Sequence, residues 1–104
     1  MTAWRIEYSD RARRQLRKLD RQVRERIREF IRAIPELETP RSKGGPLSGP
    51  LGDFWRYRVG DYRIVCDIQD NVLIVEVVKI GHRGDVYRGW RQGPNKQKET
   101  LPVT

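Results

Sequence analysis

The sequence predicts an α+β domain: an N-terminal strand, a helical hairpin, then a three-strand antiparallel meander, with the helices packed on one face of the sheet. Three observations predict it. Residues 3–8 alternate apolar and polar side chains. Apolar residues between 12 and 34 recur at three- and four-residue steps. Residues 54–80 carry strand-length apolar runs separated by two-residue turn signals.

The first strand is A-W-R-I-E-Y, residues 3–8, with Trp4, Ile6 and Tyr8 on one side and Arg5 and Glu7 on the other. That pattern suits a half-buried strand. Ser9 or Asp10 can then cap a helix. Ala12, Leu16, Leu19, Val23, Ile27, Phe30, Ile31 and Ile34 form one apolar stripe. The stripe fits one long helix or two. Asp20 as a second cap makes it a hairpin, and Pro35 and Pro40 end the helical region.

Residues 39–53 are rich in Gly, Pro and Ser and read as a loop. A strand follows from Phe54 to Val59, then the turn Gly60-Asp61, then a strand from Tyr62 to Ile68. Gly at the first turn position supplies the positive φ that a two-residue hairpin loop needs. Asp70-Asn71 marks another tight connection, and Val72 to Ile80 is an apolar run interrupted only by Glu76 and Lys79, suited to a central strand. Gly81 to Arg88 reads as a loop or short terminal element. Beyond it the chain turns polar, so the domain is expected over residues 1–89 and a flexible tail over residues 90–104.

A chain of 104 residues holds one domain. Its 22 Lys+Arg against 14 Asp+Glu leave a net charge of +8, which favours polyanionic partners or simply a soluble basic surface. A single cysteine, Cys66, allows no internal disulfide and suits a reducing compartment. One Cys and one His do not build a zinc site, so no metal or other cofactor is expected. No apolar run is long enough to span a bilayer, and no signal-peptide segment opens the chain. The expectation is a cytoplasmic protein with no membrane partner.

The sharpest feature is W-R-Y-R-V-G-D-Y-R-I-V, residues 55–65. A Gly60-Asp61 loop pairs Val59 with Tyr62, Arg58 with Arg63, Tyr57 with Ile64 and Arg56 with Val65. Trp55, Tyr57, Val59, Tyr62, Ile64 and Cys66 then share an apolar face, and Arg56, Arg58 and Arg63 share the other. Two unit charges about 6 Å apart repel by about 0.7 kcal/mol in water, and by about 2.8 kcal/mol at an effective dielectric near 20. A bound phosphate reverses that sign, and guanidinium forks match its oxygens. The alternative is that the heads splay into water while their stems cover apolar surface. The helical region is equally basic, from Arg11 to Arg32. It is either a solvated face or a second contact for RNA or an acidic protein.

The segments L-x-G-x-x-G-D-F-W-R-Y-R-V-G-D-Y-R-I-V (residues 47–65) and V-V-K-I-G-H-R-G-D-V-Y (residues 77–87) follow a strand and a helical hairpin. In that order they resemble the RelE-type toxins of bacterial toxin–antitoxin pairs, within the RelE/ParE superfamily, over about residues 3–88. The resemblance implies a metal-independent endoribonuclease that enters the ribosomal A site and cuts mRNA. In that reaction the 2′-hydroxyl attacks the adjacent phosphate, leaving a cyclic phosphate and a free 5′-hydroxyl, and translation stops. Family positions fall on Arg56, Arg58, Arg63, Arg83 and Tyr87. The implied partners are the ribosome, mRNA, and a cognate antitoxin that is acidic where it meets the toxin. Operator DNA is implied only through the antitoxin complex. The alternative within the superfamily is a ParE-like toxin that binds and inhibits DNA gyrase without cutting RNA.

Cleavage of this kind needs charge stabilisation at phosphorus, a base for the 2′-hydroxyl and an acid for the leaving oxygen. Arg56, Arg58, Arg63 and Arg83 suit the first task. Arginine stays protonated, so the proton acceptor is sought elsewhere. Histidine is the residue type suited to proton transfer near neutrality, so His82, the sole histidine, is one candidate; its alternative is a loop histidine bonded to backbone. Tyr87 is the other. It can stack on a base, orient the 2′-hydroxyl or take its proton, or else it simply plugs the edge of the core.

Overall fold

The computed structural model describes residues 3–87; the tail expected over residues 90–104 lies outside them. Strand β1 (Arg5–Tyr8) ends at Ser9, whose Oγ accepts the Ala12 N–H (3.0 Å) and so caps α1 (Asp10–Arg17). Asp20 caps α2 (Arg21–Ala33) by accepting the Gln22 N–H at 3.1 Å. Of the two readings of the apolar stripe, the chain adopts the hairpin, because the second cap gives the orphan N–H groups of α2 a partner. Pro35 and Pro40 then lie in 3₁₀ turns, Ile34–Glu36 and Pro40–Ser42.

The remaining strands are β2 (Gly45–Pro46), β3 (Trp55–Val59), β4 (Tyr62–Gln69) and β5 (Ile74–His82), and the five-stranded sheet runs β1-β5-β4-β3-β2. The expected meander is β3-β4-β5, antiparallel throughout. Three details differ from expectation. The stretch read as a loop contributes β2, which pairs with β3 through Gly45 opposite Arg56. The last strand begins at Ile74 rather than Val72, since Leu73 turns the chain with φ 57°. It also runs on through Gly81 and His82, which pair with Arg63 and Tyr62.

Strand β1 lies parallel to β5 but pairs only as far as Tyr8 with Val77. Beyond that point α1 takes over the exposed edge of β5. The Ser9 N–H donates to Val77 O (2.9 Å), the Ser9 hydroxyl to Val78 O (3.0 Å), and the Ile80 N–H to Gln15 Oε1 (2.8 Å). Buried backbone groups must find such partners, so this clamp fixes the first helix against the strand.

The main core lies between the helices and the sheet. Ala12, Leu16, Ile27, Ile31 and Ile34 meet Tyr57, Ile64, Cys66, Val75, Val77 and Ile80. Tyr57 is fully buried, and its hydroxyl donates to Pro40 O at 2.7 Å, which satisfies the polar end of a large core side chain. Trp55, Val59 and Tyr62 pack at the margin of the same cluster, as their alternation requires. No described helix is long and apolar enough to cross a membrane.

Candidate functional site

Gly60 has φ +58°, the conformation that a two-residue hairpin turn asks of its first residue. The register follows as expected: Val59 opposite Tyr62, Arg58 opposite Arg63, Tyr57 opposite Ile64 and Arg56 opposite Val65. Arg56, Arg58 and Arg63 therefore share the face away from the helices. They are not equivalent. Arg63 curls toward the turn, its Nη1 donating to Gly60 O (3.2 Å) and Tyr62 O (3.1 Å). Arg58 is exposed. Arg56 is half-buried, and its Nε is enclosed without a hydrogen-bond partner among the described residues.

This face is not purely charged. A second apolar cluster forms on it from Phe54, Val65, Val78 and Val86, with Leu47, Leu51 and Tyr87 at its margin. The segment after β5 supplies Val86, which is 1% exposed. It can cross the sheet because Gly81 has no side chain; a Cβ there would meet Val86 Cα and Cβ at 3.3 Å. The Arg83 N–H donates to Asp61 O at 2.7 Å, tying the segment to the β3–β4 turn. Arg83 thus lies beside the turn that carries Arg58 and Arg63. Tyr87 packs at the margin of the apolar cluster, its hydroxyl buried without a described partner.

His82 does not join this group. It pairs with Tyr62 across the ladder, and the two rings meet edge to face at 5.6 Å. Cross-strand partners share a face, so His82 lies on the helix side with Tyr62. Its Nδ1 accepts the Gly84 N–H at 3.3 Å, the backbone role. The backbone bond is the one expected of the alternative reading, but His82 closes β5 rather than lying in the loop expected over residues 81–88.

Lys79 is the residue that sequence reasoning passed over. Val77 pairs with Cys66 while Lys79 pairs with Val65, so the ladder is bulged between Val65 and Cys66. Val77 and Ile80 both pack in the helix-side core although they are three residues apart. The extra residue resets the alternation, and Lys79 emerges beside Val65 on the arginine face. The run V-V-K-I carries a signal for this: no strict alternation buries both Val77 and Ile80.

The opposite end of the same face is acidic. Asp67 pairs with Glu76, and the Gln69 amide donates to both, at 3.0 and 3.4 Å. These residues line a concavity of about 1080 Å³ whose other wall includes Arg11 and Arg14. Cations at the turn end and carboxylates at the far end polarise the face.

A family described as the ParE toxin of type II toxin–antitoxin systems, parDE, matches residues 6–87. The chain is 32% identical over 84 residues to the toxin RelG of Mycobacterium tuberculosis, covering 80% of this chain and 94% of that one. It is 29% identical over 89 residues to the mRNA interferase toxin RelE of Escherichia coli, covering 82% and 90%. Among solved structures, the RelBE2 toxin–antitoxin complex of M. tuberculosis aligns with a TM-score of 0.71 at 28% identity, over 82% of this chain and 97% of that chain. The isolated E. coli RelE toxin aligns with a TM-score of 0.64 at 28% identity, over 77% and 84%.

Proposed function

From the premise that the chain belongs to the ParE toxin family of type II toxin–antitoxin systems, within the RelE/ParE superfamily, we propose that it is an endoribonuclease that cuts mRNA in the ribosomal A site and so halts translation. The observation that carries this reading is the in-register opposition of Arg58 and Arg63, with Arg56 and Tyr87 on the same sheet face. A relative named as an mRNA interferase supports it.

In this reading the mRNA lies across the face with its scissile phosphate between Arg58 and Arg63. The 2′-hydroxyl attacks in line, the 5′-oxygen departs, and charge accumulates on the non-bridging oxygens. Arg58 and Arg63 take up that charge, Arg83 joins them from the turn, and Arg56 holds the neighbouring phosphate. Preorganised cations at such a centre each contribute on the order of 10²–10³ in rate. Arg63 arrives preorganised, since two backbone carbonyls already hold its guanidinium. The charge that a metal ion would otherwise supply comes from guanidinium groups, so the reaction proceeds without metal. Tyr87 stacks on or orients the nucleotide that carries the attacking hydroxyl.

An antitoxin partner, acidic where it meets the toxin, is proposed by analogy with the solved toxin–antitoxin complexes and with the basic surface of this chain. The complex meets operator DNA through the antitoxin. The test is in vitro translation with primer extension on the message. Wild-type protein leaves cuts at A-site codons, and Arg63→Ala does not; an uncut message with wild-type protein refutes the reading.

The matched family is described as ParE, which favours a second reading: a toxin that binds and inhibits DNA gyrase. A supercoiling assay separates the two. Inhibition of gyrase with the message left whole reverses the order.

A further inference from the structure

The arginine face supplies charge but also needs a group that accepts the proton of the attacking hydroxyl. Arginine does not serve, and His82 lies on the helix side with Tyr62. The bulge in β5 supplies another group. It keeps Val77 and Ile80 in the core and turns Lys79 to the arginine face, opposite Val65. Val65 has Arg56 on its other flank. Lys79, Val65 and Arg56 therefore form one row across β5, β4 and β3, and Gly81, Arg63 and Arg58 form the next. Strands about 4.8 Å apart put the Lys79 and Arg56 Cα atoms roughly 10 Å from one another, a span that two long side chains and one nucleotide fill. Bulges recur beside active sites because they re-aim a side chain.

We propose that Lys79 is a further catalytic residue of this site, the acceptor of the 2′-hydroxyl proton; the inference rests on the nuclease reading. The neutral Lys79 amine takes the proton as O2′ forms its bond to phosphorus. The bond from phosphorus to O5′ breaks with its electron pair on O5′, which takes a proton from water. The hydroxide left behind removes the proton from the Lys79 ammonium and restores the amine.

The surroundings suit a neutral amine. Lys79 is 8% exposed. Burial holds its ammonium below the ordinary lysine value, and Arg11 at the start of α1 pushes the same way. In the register of the sheet Arg56 shares its row two strands away and Arg63 lies one row on, while Asp67 and Glu76 pair beyond the bulge.

The test is single-turnover cleavage on programmed ribosomes between about pH 6 and pH 9, with the full chain as wild type, Lys79→Met and Lys79→Arg. Circular dichroism checks that each variant folds. Lys79→Arg decides alone if Lys79→Met does not fold. The expected result is a loss of at least ~100-fold in rate for both variants, with the half-saturating ribosome concentration within about threefold of wild type. The wild-type rate rises with pH, and that rise is absent from the residual activity. Wild-type cleavage by Lys79→Arg overturns the inference, because charge alone would then suffice; so does a rise with pH that survives in either variant. A wild-type protein that leaves the message whole refutes the nuclease reading itself, and Lys79 as its base falls with it.

Discussion

Arg58 on β3 stands directly across the ladder from Arg63 on β4. Like charges so opposed destabilise a sheet, although the exposure of Arg58 lets solvent screen most of the repulsion. The pair predicts a split between stability and function. Arg58→Gln leaves stability unchanged or raises it by up to about 1 kcal/mol, while on the nuclease reading mRNA cleavage falls by ~100-fold or more. Thermal melts and primer extension read the two effects on one preparation.

Gln15 accepts the Ile80 N–H at 2.8 Å where no strand flanks β5. Gln15→Leu leaves that donor buried and unpaired, at a cost of about 1–3 kcal/mol. Gln15→Glu keeps an acceptor at the same reach and loses far less. Urea denaturation midpoints compare the two.

Gly81 makes room for Val86 to cross the sheet. Gly81→Val drives the segment bearing Arg83 and Tyr87 away from the arginine face. Overpacking of this kind costs about 1–3 kcal/mol, and on the nuclease reading cleavage drops at least tenfold. Faster proteolysis between His82 and Tyr87 reports the displacement itself; an unchanged digest sinks the prediction.

Cys66 is fully buried. Burial pushes its thiol far up, and the charges of Asp67 and Glu76 add to that. The folded protein resists iodoacetamide at pH 8.5, and the unfolded protein reacts fully, as mass spectrometry will show. Rapid labelling of the native state would contradict the packing described for β4.

Arg41 donates two hydrogen bonds to Asp70, both at 2.9 Å. They hold the Asp70 carboxyl below its ordinary value. A depressed carboxyl contributes stability that is present above its unfolded value, near about 3.9, and lost as pH falls through the folded one. Both partners are exposed, so the effect is small. Asp70→Asn therefore flattens the acid limb of stability against pH slightly, below about pH 4, and leaves neutral stability nearly unchanged.

Much of the fold is legible in local chemistry. Ser9 and Asp20 cap their helices because a short polar side chain is what orphan N–H groups need. Gly60 sets the β3–β4 register, and the register sets the faces of Arg56, Arg58 and Arg63. Contacts made at short range repeat whatever the rest of the chain does. The short strand β2 was not legible, because two residues carry no periodicity.

Long-range packing decided the rest. Whether His82 belongs to the arginine site depends on how far β5 extends, and its pairing with Tyr62 puts it on the helix side. The alternation of V-V-K-I-G-H is ambiguous until the core claims both Val77 and Ile80. The bulge that this demands is what turns Lys79 to the other face of the sheet. The second cluster under Val86 arises likewise from residues far apart in the chain. By itself the sequence determined the caps, the hairpin register and the arginine face, since each is fixed by neighbours within a few residues. Only the tertiary structure decided which proton-carrying side chain shares that face, because a strand's phase is settled by the most apolar burial it can reach.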